Sequence, residues 1–216
     1  MHGRTRRPGD IHVNAGRQFD VVIAGAGIIG LSIAWELARR SNLKVAVLEK
    51  GAATGEGSTG ASSAVCRYRY SMDEMLRLAS DGIRAYRNWR AYTELSQPQA
   101  IFQHDGVLWM PGSNKAWADV EHARLQRFGI ASAVLDDDDL QERFPAFSTC
   151  TITPDTETGE PHECRGGGRH LLELDGGYMD PTGAMQDLVE ACRARGVTVS
   201  FRSEVTGIRK QGGRIS

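Results

Sequence analysis

The chain has 216 residues, enough to bury one large core or two small ones, and its 26 Lys and Arg nearly balance 27 Asp and Glu, for a formal net charge of -1. So small a charge is no footprint for nucleic acid or an anionic membrane, and the longest apolar run, around Asp20 to Leu37, is broken by glycines before it reaches the length of a membrane span. Cys66, Cys150, Cys164 and Cys192 form no C-x-x-C pair, which suits a reduced, intracellular protein; the cytoplasm is the expected location, with organellar import as the alternative.

Residues 1–18 carry Arg4, Arg6, Arg7 and Arg17 against Asp10 and read as a flexible, solvated leader. They lack the apolar region of a secretory signal and the amphipathic face and serines of a transit peptide. Asp20 to Ala24 is a short apolar run bounded by glycine, the pattern of a strand buried on both faces. Gly25, Gly27 and Gly30, with Ala26, Ile28 and Ile29 between them, then spell G-x-G-x-x-G where that strand must become a helix. The first glycine permits the turn, the second lets backbone approach a diphosphate, and the third lets helix and strand pack closely. Amide N–H groups and the helix dipole at that point favour phosphate charge. Ile29, Ile33, Ala34 and Leu37 recur at helical spacing and are expected to face the sheet.

Val45 to Leu48 returns as a second parallel strand and ends at Glu49 and Lys50. An acid about 20 residues beyond such a fingerprint reaches the ribose hydroxyls of an adenine dinucleotide. A 2′-phosphate would face Glu49 with no cation between, so FAD and NAD remain. The next stretch, Gly51 to Ser71, is dense in Gly, Ser, Thr and Ala. Its composition alone reads as a linker, but behind the second strand of a dinucleotide fold small side chains let backbone and hydroxyls approach a ligand.

Gly25–Gly30, Glu49 and Gly57-Ser58-Thr59-Gly60-Ala61-Ser62 together resemble the FAD-dependent D-amino-acid oxidase, glycine oxidase and sarcosine oxidase superfamily. The resemblance runs from about Phe19 to the last residue and implies that Ser58, Thr59, Gly60, Ala61 and Ser62 lie along the flavin and diphosphate. Gly57 to Tyr70 is similar, without a gap, to the sarcosine oxidase segment that carries flavin-side basic residues. That implies substrate-carboxylate pairing for Arg67 and a site role for Tyr70, whereas Ala64 replaces another arginine of that segment. The loop has no histidine for covalent flavin attachment, and Cys66 reads as a small buried thiol. Independently of the family, a guanidinium beside a glycine-rich cofactor loop can hold a carboxylate in a bidentate fork; the plainer reading is a surface arginine in an alternating strand, Arg67 to Tyr70.

Met72 to Leu95 reads as one long helix with Met75, Ala79, Ile83, Tyr86 and Trp89 on one face. Ala100 to His104 and Gly106 to Met110 are strand-like, with Asp105-Gly106 as a hairpin signal and Pro111-Gly112 as the stop. Helix follows over Asn114 to Phe128, strand over Ala131 to Leu135, and a short helix up to Phe144 behind Asp136 to Asp139, whose charge suits a solvated helix start better than a metal. Residues 150–170 read as a polar insertion; Cys150, His162, Cys164 and His170 match no common zinc spacing. Leu171 to Leu174 is a strand, Asp175-Gly176-Gly177 a turn, Pro181 to Arg195 a helix stopped by Gly196, and Val197 to Phe201 another parallel strand. The family resemblance implies that Val205, in Glu204 to Ile208, meets the adenine through its backbone. Gly212-Gly213 reads as a hairpin turn.

The expected fold is α/β, a Rossmann-like FAD-binding parallel sheet with a partial α+β substrate domain: 19–95 and 181–216 bind FAD, and 96–180 cover the substrate. The expected activity is hydride removal from a C–H next to the amine of a glycine-, sarcosine- or D-amino-acid-type substrate. The alternatives are an FAD-dependent 2-hydroxy-acid or glycerol-phosphate dehydrogenase, a non-catalytic flavoprotein or assembly factor, and, more weakly, an NAD-dependent dehydrogenase. Family members are considerably longer, so the chain is expected to be a fragment, a split gene product or a half that needs a partner.

Overall fold

The computed structural model describes residues 18–110, 115–150, 157–160, 163, 166–212, 214 and 215. The leader up to residue 17, Pro111-Gly112, His162 and Cys164 lie outside the described residues. In chain order the elements begin with β1 (Val21–Ala24), α1 (Ile28–Arg40), β2 (Val45–Leu48), β3 (Val65–Cys66), α2 (Asp73–Arg87) and α3 (Trp89–Thr93). There follow β4 (Phe102–Gln103), β5 (Val107–Trp109), α4 (Lys115–Arg127), β6 (Ser132–Leu135), α5 (Asp137–Arg143) and β7 (His170–Glu173). The chain continues through β8 (Gly177–Met179), α6 (Pro181–Ala194), β9 (Thr198–Ser200), β10 (Lys210–Gln211) and β11 (Arg214–Ile215). Two compact units result, one from Met1–Ala64, Asn88–Ile101 and Met179–Ser216, the other from Val65–Arg87 and Phe102–Tyr178.

The first unit is built on a parallel sheet in the order β1-β2-β9, with Val21 opposite Val45 and Val47 opposite Val199. β2 is central, and its Val45, Ala46 and Val47 are buried on both faces. The same was expected of β1, but β1 has one hydrogen-bonded neighbour among the described residues, and its residues alternate in exposure, with Val22 54% exposed. The inward face of α1 also differs from the expected one. Ile29 and Ile33 are exposed, while Leu31, Ala34 and Trp35, at i, i+3 and i+4, are buried. Bulk decides this: α1 packs on α6 as well as on the sheet, and Leu31 and Trp35 are buried there along with Ala184, Leu188 and Ala191 of α6. The α6 start is as read, with Asp180 capping the Gly183 N–H and Pro181 in the first turn. Gly196, at φ +83°, ends it, and β10 and β11 form the expected hairpin around Gly212.

The single helix expected over Met72 to Leu95 is two. Asn88 leaves helical geometry at φ -115°, ψ 36°, and α3 belongs to the first unit whereas α2 belongs to the second. The cause is Trp89, whose indole is drawn to the buried carboxylate of Asp187 on α6 at 2.8 Å. Asp187 also accepts the N–H groups of Gln99 at 2.8 Å and Ala100 at 3.0 Å, so one acid ties two returning segments to α6.

In the second unit, β3-β8-β4 and β5-β7-β6 are separate sheets. β4 and β5 are therefore not the hairpin suggested by Asp105-Gly106; Gly106 does turn, at φ +79°, but sends the chain from one sheet into the other. β7 is a central strand with all four residues buried. Leu171 faces the cluster of Leu76, Ile83, Ala118 and Leu125 from α2 and α4, and Leu172 faces Leu135 and Leu140 beside α5. By the same alternation His170 shares the α5 face and Glu173 the α2/α4 face. α5 starts at a capping box of Asp136 and Asp139. Asp137 is not merely solvated, as its position suggested, since it accepts from the His170 ring at 3.0 Å and from the N–H groups of Gly167 and Gly168. Burial pushes the Asp137 carboxyl up, but these hydrogen bonds outweigh it and hold the group below its ordinary value of 3.8.

Asp187→Ala strands three donors in the core and is expected to destabilise the first unit by on the order of 3 kcal/mol, read as a lowered urea midpoint, with Asp187→Asn in between. Because the Asp137 group is depressed, its stabilisation is complete above its unfolded value of 3.8 and lost as pH falls through the lower folded value. The gap in urea midpoint between wild type and Asp137→Asn is therefore expected to hold constant above about pH 5 and to close in stronger acid.

Candidate functional site

The turn from β1 into α1 places the fingerprint at the carboxyl end of the parallel sheet. Gly25 sits at φ +105°, a conformation that side chains disfavour. A Cβ on Gly30 would come within 2.1 Å of the Gly25 carbonyl oxygen, so the third glycine is what lets α1 lie against the turn. Gly27 is the N-cap of α1 and supplies no side-chain cap, and the first turn holds no acid. That helix start is left with amide donors and without a negative partner of its own, which suits a diphosphate. One donor is met from the serine-rich loop: Thr59 Oγ1 accepts from Ile28 N–H at 3.2 Å. A methyl group on Gly27 would reach that same oxygen at 3.1 Å. Thr59 therefore brings the 58–62 loop to the fingerprint, while Ser58, Gly60, Ala61 and Ser62 are exposed around it. Ser62 Oγ accepts the N–H of Ala64, which adopts φ +55°.

Glu49 reaches back to the same turn. Its Oε2 accepts from Ala26 N–H at 2.8 Å and its Oε1 from Gly51 N–H at 2.8 Å. A carboxylate has about four acceptor positions, so two remain for ribose hydroxyls. Ala26 is fully buried, its N–H committed to Glu49, whereas Ile29 is exposed and so is Lys50. The backbone of Glu49 is bonded on both sides, its N–H to Ser200 O and its carbonyl to Ser203 N–H, each at 2.8 Å. Arg202 N–H reaches Gly51 O at 2.8 Å, so the exit of β9 is laced to that of β2. Val205 follows three residues beyond Arg202 and is 40% exposed, in a segment without regular structure.

Arg67 and Tyr70 belong to the second unit, in a segment that is irregular after β3 rather than an alternating strand. The Arg67 guanidinium carbon lies 5.0 Å from the Tyr70 ring centroid and 5.0 Å from that of Trp109. Arg69 stacks on Trp109 and Trp117 but is also paired with Glu121 at 3.2 Å. Arg67, unlike Arg69, has no salt bridge among the described residues. Beneath this segment is an acid that sequence reasoning missed. Glu173, fully buried, accepts from Tyr68 N–H at 2.6 Å, Arg69 N–H at 3.1 Å and the Trp109 indole at 2.6 Å. Burial pushes its carboxyl above the ordinary range, against the pull of those donors and of the Arg67 charge. The available signal was a lone acid in the apolar run His170 to Leu174. Cys66 is half-buried, and burial pushes its thiol up to about 11, away from the reactive thiolate. Among the described residues no group of His, Cys, Asp and Glu could hold a metal ion, and no helix is long and apolar enough to cross a membrane.

A parallel β1-β2-β9 sheet with a glycine turn, an open helix start and a carboxylate over them defines a dinucleotide-binding α/β protein. The model of the FAD dependent oxidoreductase (DAO) family matches residues 20–216, and the chain belongs to that family, whose cofactor is FAD. It is 29% identical to hydrogen cyanide synthase subunit HcnC of Pseudomonas aeruginosa over 93% of this chain and 53% of that protein. It is 25% identical to sarcosine oxidase subunit beta of Rhodobacter capsulatus over 92% of this chain and 45% of that protein. Glycine oxidase from Bacillus cereus has the same fold, with a TM-score of 0.69 and 19% identity over 90% of this chain and 49% of that one. The chain thus spans about half the length of the relatives it matches.

Gly30→Ala, by forcing α1 off the turn, is expected to abolish FAD retention. Glu49→Gln, which sets an NH2 group against one of two N–H donors, is expected to weaken FAD binding by at least about tenfold in a flavin-fluorescence titration.

Proposed function

We propose that this chain supplies the FAD grip and the carboxylate anchor of an oxidoreductase that oxidises the C–H next to the amine of an amino-acid-like substrate. FAD bound there would supply the hydride acceptor for that carbon. The first unit acts as the cofactor-binding part. In it the N–H groups around Gly25, Gly27 and Gly30 hold the diphosphate, Glu49 with Lys50 the ribose, Ser58 to Ser62 the flavin side, and Val205 the adenine end. The second unit acts on the substrate. Arg67 receives the carboxylate, with the Tyr70 ring on its face, and so decides which C–H is presented. The amine nitrogen needs only to be deprotonated for hydride loss, which asks no general base of this part of the protein.

The observation that carries this reading is Arg67: its guanidinium carbon lies 5.0 Å from the ring centroids of Tyr70 and of Trp109, and it has no salt bridge among the described residues. A guanidinium held near aromatic rings keeps N–H donors that can form a fork to a carboxylate. The named activities of the sarcosine oxidase and glycine oxidase relatives support an amine substrate, and two relatives are named as subunits, which supports a partner chain.

Anaerobic mixing of the purified yellow protein with sarcosine, glycine and D-amino acids is expected to bleach the flavin bands. Bleaching by lactate or glycerol 3-phosphate alone would replace this reading with hydroxy-acid or glycerol-phosphate oxidation. Bleaching by none of them would leave a non-catalytic flavoprotein. Arg67→Gln is expected to raise KM for the active amino acid by at least about tenfold, with kcat changed less.

A further inference from the structure

The segment that carries Arg67 has no regular secondary structure; Arg124 holds the Tyr70 carbonyl at 2.7 Å and Glu121 pairs with Arg69, but the backbone N–H groups next to Arg67 are held by one buried acid. Both oxygens of Glu173 are used there: Oε2 takes Tyr68 N–H, and Oε1 takes Arg69 N–H and the Trp109 indole. The amides on the carboxyl side of Arg67 thus converge on a single buried anion, and the ring that stacks on Arg67 is oriented by the same anion. β7 is the central strand of its sheet, paired with Val107 and Ser132 at the level of Glu173, so the anchor stands on one of the most constrained backbones in the unit. An acid removed from water at that position is costly, and its three donors are what offset the cost.

We propose that Glu173 is a positioning residue for substrate binding: it fixes the Arg67 backbone and the Trp109 ring together, so that the guanidinium edge is presented for a carboxylate. This rests on the assignment of Arg67 as the carboxylate anchor. Glu173 does not touch the ligand. Its effect passes through Arg67, and it is therefore specific to ligands that carry a carboxylate.

The test is isothermal titration of the FAD-loaded 216-residue chain with sodium propionate, and with propionamide as the uncharged control. Wild type is compared with Glu173→Gln, Arg67→Gln and the double variant, each checked for native near-UV circular dichroism. Glu173→Gln is expected to weaken propionate about tenfold, roughly the worth of a charge-assisted hydrogen bond, and to leave propionamide unchanged. Arg67→Gln is expected to weaken propionate at least as much, and the double variant no more than Arg67→Gln alone, because the two residues act in series. Trp109→Phe keeps a ring for stacking and removes one donor; its expected loss is about threefold, which keeps the idea testable if Glu173→Gln does not fold. Wild-type propionate affinity in Glu173→Gln, or in Trp109→Phe where that is the variant read, overturns the positioning role and leaves Arg67 standing if Arg67→Gln has lost affinity. Wild-type affinity in Arg67→Gln, or no propionate binding by the wild type, overturns the Arg67 assignment and this inference with it.

Discussion

The two backbone N–H groups that converge on Glu49 are the constraint on which the cofactor end depends. Through Ala26 and Gly51 the carboxylate joins the glycine turn to the exit of β2, and the backbone of Glu49 joins that exit to β9. The turn, the open start of α1 and the acid consequently move as one body. Under the proposed function, a diphosphate and a ribose would meet groups already in place, so little ordering would have to accompany binding.

The same device recurs in each unit with a different purpose. Asp187 gathers an indole and two backbone amides, and Glu173 gathers an indole and two backbone amides as well. Both acids are fully buried and stand on regular elements, α6 and β7, while their donors come from stretches with little structure of their own. A buried carboxylate with three donors can hold an irregular segment that has too few apolar side chains to pack itself. Asp187 holds α3 and residues 99–100, and Glu173 holds the segment from Tyr68 to Arg69.

The βαβ unit over residues 20–50 was nearly all legible. Its strand, turn, helix and strand are neighbours in the chain, and the glycine spacing states the turn geometry directly. What went astray there was the two-sided burial of β1, which has one strand neighbour among the described residues, and the face of α1, because Ile29 and Ile33 are as apolar as Leu31 and Trp35 and only the position of α6 separates the two sets. Asn88 between α2 and α3 was not legible for a similar reason. The helical period runs through it, and the break is enforced by Asp187, nearly a hundred positions further on. The Asp105-Gly106 turn was correctly located, yet its two strands pair with β8 and β7 and not with each other.

By itself, then, the sequence determined the βαβ elements, the glycine turn, the distal acid and hence a dinucleotide cofactor, since each depends on residues a few turns or one crossover apart. Tertiary structure alone decided that Arg69 and not Arg67 has a salt bridge among the described residues, and which acids are buried to organise the rest. Tyr68 and Glu173 stand 105 positions apart, and the role of a carboxylate follows from the donors the fold brings to it.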